Sequence, residues 1–228
     1  MTDIAIQAEK MSIGYERTVC ADISFELQQG KSLLVTGHNG AGKTTLLKTL
    51  FALMPLLGGR YDLLGTDVNT ASPEKLMQAG ARFLGQGGRS FDQLSVNRSR
   101  EALQTLYDFQ VAAPPSETAN SYAASMRIGN LSIGQRRIEA LHLLTAGNPR
   151  LYLLDEPFAG VDLTHERYLL DWLTAEQQKQ KSFVIVEQRF RRLLPLCDVT
   201  MVLRAGEMSY LGPSAELVNE KKAAEVIL

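Results

Sequence analysis

The chain has 228 residues, 45% of them hydrophobic and 21% charged, which excludes a disordered polymer and allows one or two packed domains. A formal net charge of -1 excludes whole-molecule attraction to nucleic acid or to an anionic membrane surface. Two cysteines, Cys20 and Cys197, lack C-x-x-C spacing, so neither a disulfide framework nor a zinc site is expected.

In chain order, Ile4 to Gly30 reads as short apolar or alternating runs cut by Gly14-Tyr15 and Gln28-Gln29-Gly30, a small antiparallel layer. A buried strand is predicted at Lys31–Thr36, a glycine-rich loop at Gly37–Thr45, and a helix at Thr45–Leu53 that Pro55 and Gly58-Gly59 terminate. Gly65–Gly80 reads as a turn and short helix, Ala81–Gly85 as a brief strand, and Gln86–Arg89 as a loop. Val96–Phe109 is predicted helical, and Pro114-Pro115 with Ser116–Ser121 as a loop. Leu151–Leu154 and Phe183–Val186 are apolar runs of the kind buried on both faces of a parallel sheet, joined by an amphipathic helix at Leu163–Lys179. The expected fold is α/β, with a mainly parallel sheet, a small antiparallel β layer at the N-terminus and an inserted helical subdomain. As one domain over 1–228, its core would comprise 1–90 and 148–228, and its helical subdomain 91–147. No run approaches the ~18 apolar residues of a spanning helix. The start Met1-Thr2-Asp3-Ile4 lacks the basic and apolar runs of a secretory signal. A soluble chain is expected, with any membrane part supplied by another polypeptide.

Gly37-His38-Asn39-Gly40-Ala41-Gly42-Lys43-Thr44-Thr45 fits G-x-x-x-x-G-K-[ST] between a predicted strand and a predicted helix. Glycines let backbone N–H groups approach phosphate, Lys43 offers a positive point charge, Thr44 offers a hydroxyl for Mg²⁺, and the helix N-terminus adds partial positive charge. Leu151-Tyr152-Leu153-Leu154 delivers Asp155 and Glu156 at a strand's C-terminal end, where ligands sit in open α/β sheets. Asp155 suits Mg²⁺ and Glu156 suits orienting an attacking water as general base. His38, His142 and His165 have no metal-ligand spacing and read as structural or surface residues.

Between these elements stands Leu131-Ser132-Ile133-Gly134-Gln135, which resembles the L-S-G-G-Q signature of ABC ATPases with Ile133 at a glycine position. The other family stations follow in order: Gln86 resembles the Q-loop glutamine, Ala159-Gly160-Val161-Asp162 the D-loop, and Tyr15 the aromatic that stacks on adenine. The resemblance spans nearly the whole chain. It implies a P-loop NTPase core with ATP and Mg²⁺ as ligands, and Gln86 near the metal and attacking water. It also implies a head-to-tail dimer in which Ser132, Gly134 and the helix starting near Gln135 face the phosphate held by the other subunit's Lys43. Further implied partners are an identical or paralogous ATPase subunit, transmembrane permease subunits and, for an importer, a substrate-binding protein. Nucleic acid is not among them, and the implied location is the cytoplasmic face of the inner or plasma membrane. The family places a γ-phosphate-contacting histidine where this chain has Gln188, which can donate a hydrogen bond but carries no proton or charge.

Val186-Glu187-Gln188 and the run Gln86–Val96 resemble the ATPases of branched-chain amino-acid and urea importers, while Asp155-Glu156-Pro157-Phe158-Ala159-Gly160 resembles those of lipopolysaccharide export. A docking groove for membrane subunits is expected around Gln86–Leu94. Alternatives are a non-transport ABC ATPase, disfavoured by a single cassette without heptads, a regulatory module with weak hydrolysis, disfavoured by retention of Lys43, Asp155 and Glu156, and a P-loop kinase, in which the signature has no role.

Overall fold

A computed structural model describes residues 3–86, 92–107, 124–219 and 223–224. Among them, two sheets form. β1 (Ile4–Gly14) and β2 (Thr18–Gln28) pair antiparallel, and β4 (Leu56–Leu63) and β5 (Thr66–Asp67) extend that sheet in the order β2-β1-β4-β5. The second sheet gathers β3 (Ser32–Gly37), β6 (Ala81–Leu84), β7 (Leu151–Asp155), β8 (Ser182–Val186), β9 (Val199–Arg204) and β10 (Glu207–Pro213). Its order is β10-β9-β3-β8-β7-β6, parallel except for β10 at one edge.

Strand periodicity divides the interior in two, because successive side chains leave opposite faces of a sheet. Leu33, Val35, Leu151, Leu153, Val184 and Val186 point into a core shared with the antiparallel layer and α1 (Lys43–Leu50). Leu34, Tyr152, Leu154, Phe183 and Ile185 point the other way, against α4 (Ile133–Leu144) and α5 (Leu163–Gln178). On that second face the Tyr152 and Phe183 rings stack at 5.1 Å, and Trp172 meets each of them edge-on, a geometry aromatic quadrupoles favour. Both β7 and β8 are buried along their length, as expected of strands sandwiched between layers.

α2 (Pro73–Gln78) precedes β6, and α3 (Val96–Tyr107) precedes α4 in the helical part inserted between β6 and β7. Val96, Ile128 and Leu131 make a small apolar cluster there, and Ser95 bridges Arg127. The expected domain boundary at 90/91, the Gly87–Arg89 part of the predicted loop, Phe109 and the Pro114–Ser121 loop lie outside the described residues.

Two expectations shift. α1 begins at Lys43 rather than Thr45, because Gly42 at φ 97° takes the left-handed turn that lets the helix start there. Leu56–Leu63 is a strand, although Gly58-Gly59 reads as a helix terminator. Gly59, at φ 78°, faces the Lys10 carbonyl so closely that a Cβ would collide with it, at an irregularity in the β1–β4 register. The glycines thus admit a bulge within a strand.

Candidate active site

The strand order explains why distant residues meet. β3, β8, β7 and β6 are neighbours in that order, so their C-terminal ends place the phosphate loop, Gln188, Asp155-Glu156 and Gln86 along one edge of the sheet. This is where ligands bind in open parallel sheets.

Lys43 opens α1, is buried, and donates from Nζ to the carbonyls of Gly37 at 2.9 Å and His38 at 2.8 Å. Burial pulls its pKa down, against the pull of Glu156, Asp155 and Glu187. Thr44, next in the helix, donates from Oγ1 to Asp155 Oδ1 at 3.1 Å, and Gln86 Nε2 reaches the same hydroxyl at 3.4 Å. Asp155 is fully buried at the end of β7, and desolvation pushes its carboxyl up to about 6 while the Thr44 bond opposes the rise.

Glu156 leaves β7 at φ 47°, a left-handed conformation that costs a non-glycine residue and persists only where surroundings impose it. Its N–H bonds the Val186 carbonyl at 2.9 Å. Gln188 Nε2 donates to Glu156 Oε1 at 3.2 Å and also to Asn39 Oδ1, tying the glutamate to the phosphate loop. Gln188 is itself fixed by Glu187, whose Oε1 accepts from the Gln188 N–H at 2.9 Å and the Arg189 N–H at 3.2 Å.

The donor set fits a divalent cation. Asp155 Oδ2 is buried without a hydrogen-bond partner among the described residues, an arrangement that is costly unless something compensates it. Beside it stand a hydroxyl and an amide, a hard-oxygen set of the kind Mg²⁺ takes alongside phosphates and waters.

Ser132 caps α4, with Ser132 Oγ accepting from the Gln135 N–H and Gln135 Oε1 from the Ser132 N–H, at 3.2 and 3.0 Å. The two bonds form a reciprocal capping box. Ile133 is 52% exposed, and its side chain lies 3.4 Å from where a Cβ on Gly160 would sit. Gly134 packs under the His165 ring, and His165 Nδ1 pairs with Asp162 Oδ2 at 2.6 Å while Asp162 caps α5. The signature and the D-loop therefore form one surface around the start of α5. Tyr15, in the β1–β2 turn, is 62% exposed.

Arg137 and Glu187, both buried, have no role that the sequence motifs assign. A signal existed for Arg137: it shares the inward spacing of Gly134, Ile138, Leu141 and His142 on α4, so a cation sits on the buried face. No group of three or more His, Cys, Asp or Glu suited to a metal occurs among the described residues. His142 is buried against Tyr168, and no described helix is long and apolar enough to cross a membrane.

Comparison with known proteins agrees with this geometry. The family profile described as ABC transporter matches residues 20–159, more than half the chain. The lipopolysaccharide export system ATP-binding protein LptB of Escherichia coli K12 is 26% identical, covering 98% of this chain and 96% of that protein. The probable branched-chain amino acid transport ATP-binding protein LivF of Archaeoglobus fulgidus is 24% identical, covering 95% of each. The ADP conformation of MJ1267, an ATP-binding cassette of an ABC transporter, shares the fold with a TM-score of 0.79 at 21% identity, covering 99% of this chain and 98% of that one. The chain belongs to the ABC transporter family as one of its ATP-binding, ATP-hydrolysing cassettes.

Proposed function

We propose that the chain powers an importer of a small polar solute, such as a branched-chain amino acid or urea, from a shared-site dimer. The observation that carries the hydrolytic half is Glu156, held at a strained φ by Val186 and facing Gln188 and the phosphate loop. In this reading the loop from Gly37 through Gly40, Ala41 and Gly42 to Thr45 wraps the phosphates, and Lys43 exchanges the two carbonyls that hold it for phosphate oxygens. Tyr15 stacks on the adenine. Thr44, Asp155 and Gln86 would hold Mg²⁺, which when bound would neutralise phosphate charge. Glu156 orients the attacking water and accepts its proton, and Gln188 positions that carboxylate. Ser132, Gly134, Gln135 and Asp162 complete the partner's site, where a helix N-terminus stabilises developing phosphoryl charge. Residues 91–147 act as the helical subdomain that relays closure to permease subunits at the cytoplasmic face of the membrane, alongside a substrate-binding protein.

Import is supported by the likeness to LivF over 95% of each chain and by Gln188 after β8. A second reading, lipopolysaccharide export, is favoured by the likeness to LptB over 98% of this chain. Purifying the tagged chain from its native membrane separates them. Import predicts retention of a permease pair whose binding protein stimulates ATP turnover, whereas turnover answering only to a lipopolysaccharide-loaded permease would contradict it.

A further inference from the structure

We infer that Arg137 is a positioning residue for hydrolysis, holding the backbones beside Gln86 and at Glu156 with one guanidinium from the signature helix. The inference rests on the roles given above to those two residues.

Arg137 lies one turn into α4 and is only 6% exposed. One terminal nitrogen donates to the Gly85 carbonyl at 3.4 Å, and the other to the Glu156 carbonyl at 3.3 Å. These carbonyls follow the ends of two adjacent parallel strands, β6 and β7. Gly85 immediately precedes Gln86, and Glu156 is the residue at φ 47°. A planar fork can span two acceptors in a fixed geometry, which an ammonium on a flexible stem cannot.

Burying a guanidinium is expensive unless charge and acceptors compensate it. Here Asp155, Glu187 and Glu156 supply the opposing charge. Glu187 matters twice, since its Oε1 fixes the Gln188 and Arg189 N–H groups while Oε2 has no hydrogen-bond partner among the described residues. A cation on the buried face of a helix is a poor choice for packing alone. Between two loops that need orienting, it links the helix carrying Ser132 and Gly134 to the carboxylate and amide across the sheet edge. A displacement of α4 is thereby transmitted to both.

The test uses Arg137→Lys, which keeps the charge, and Arg137→Gln, which removes it. Both should lower kcat about 10- to 100-fold, as small misplacements of catalytic groups do, with ATP affinity changed less than about threefold. Hydrogen exchange of the nucleotide-free chain should quicken in peptides containing Gln86 and Glu156 and stay unchanged in β3, β8 and α5. Wild-type turnover in Arg137→Lys would overturn the inference, because the fork would then be dispensable. Exchange that is unaltered, or raised throughout the core with a fall in Tm, would also overturn it. A wild-type chain without turnover would count against the proposed function, whereas the exchange measurement needs no turnover and still decides the role of Arg137.

Discussion

At the scale of single residues, Gln188 commits both amide hydrogens, one to Asn39 and one to Glu156. Those links are hydrogen bonds alone, since an amide carries no ionisable proton. Gln188→Ala should free the glutamate from the phosphate loop and lower kcat about tenfold, with ATP affinity nearly unchanged. Steady-state turnover against nucleotide titration checks this, and a loss confined to affinity would contradict it. The phosphate loop, Asp155 and Glu156 were readable in the sequence because each is a short contiguous motif beside a strand. The burial of Arg137 was readable from its spacing on α4 but its partners were not, since Gly85 and Glu156 meet it only when α4 is laid across the ends of β6 and β7, and Glu187 turns back on the N–H groups of Gln188 and Arg189, which no spacing marks.

At the scale of elements, the contact between α4 and α5 is set by a missing side chain. A Cβ on Gly134 would lie 2.5 Å from His165 Cγ and 2.7 Å from Nδ1, at the root of the ring rather than at a yielding tip. Gly134→Ala should therefore destabilise the fold by about 1–3 kcal/mol, as overpacking does, and should disturb the D-loop through the His165–Asp162 pair. In a His165→Ala background the penalty should shrink, and urea denaturation of the double-mutant cycle reads the coupling. Equal penalties in both backgrounds would show that the two residues do not compete for space.

The same helix pair carries a pH dependence. Burial is the main cause holding the His142 imidazole down at about 4, with Glu139 opposing and Arg100 adding to the shift, and its Nε2 meets the Tyr168 hydroxyl at 2.6 Å. The unfolded chain, with an ordinary imidazole, binds the proton first. Stability is thus full above about pH 6.5 and falls as pH drops toward 4, by on the order of 2 kcal/mol at pH 4.5. Urea midpoints at pH 7.5 and 4.5 should show a smaller loss in His142→Gln than in wild type, and parallel losses would contradict the assignment. The start of α4 was legible near Ser132, and β3, β6, β7 and β8 from their apolar runs, whereas β9 and β10 were not read. β4 was not, because Gly58-Gly59 has the local look of a breaker, and only its pairing with β1 shows Gly59 to be a bulge residue.

At the scale of the whole molecule, one sheet edge gathers the phosphate loop, Asp155 and Glu156, while the signature and the D-loop form a second surface around α5. In the proposed dimer each surface completes the other copy's site, and ATP lies between them. The alternation of strand and helix made the α/β core legible, and the ordered motifs made the family legible. The antiparallel layer was legible only in its first two strands, because its remaining pairing depends on contacts distant in sequence.

Mg²⁺-ATP turnover of the purified chain, measured beside Glu156→Gln while size-exclusion chromatography follows dimerisation, tests the shared-site engine most directly. The account predicts turnover in the wild type, a fall of about 10²- to 10⁴-fold in the variant, and an ATP-dependent dimer that persists only in the variant. Equal turnover in the two proteins, or a variant that binds ATP and stays monomeric, would contradict it.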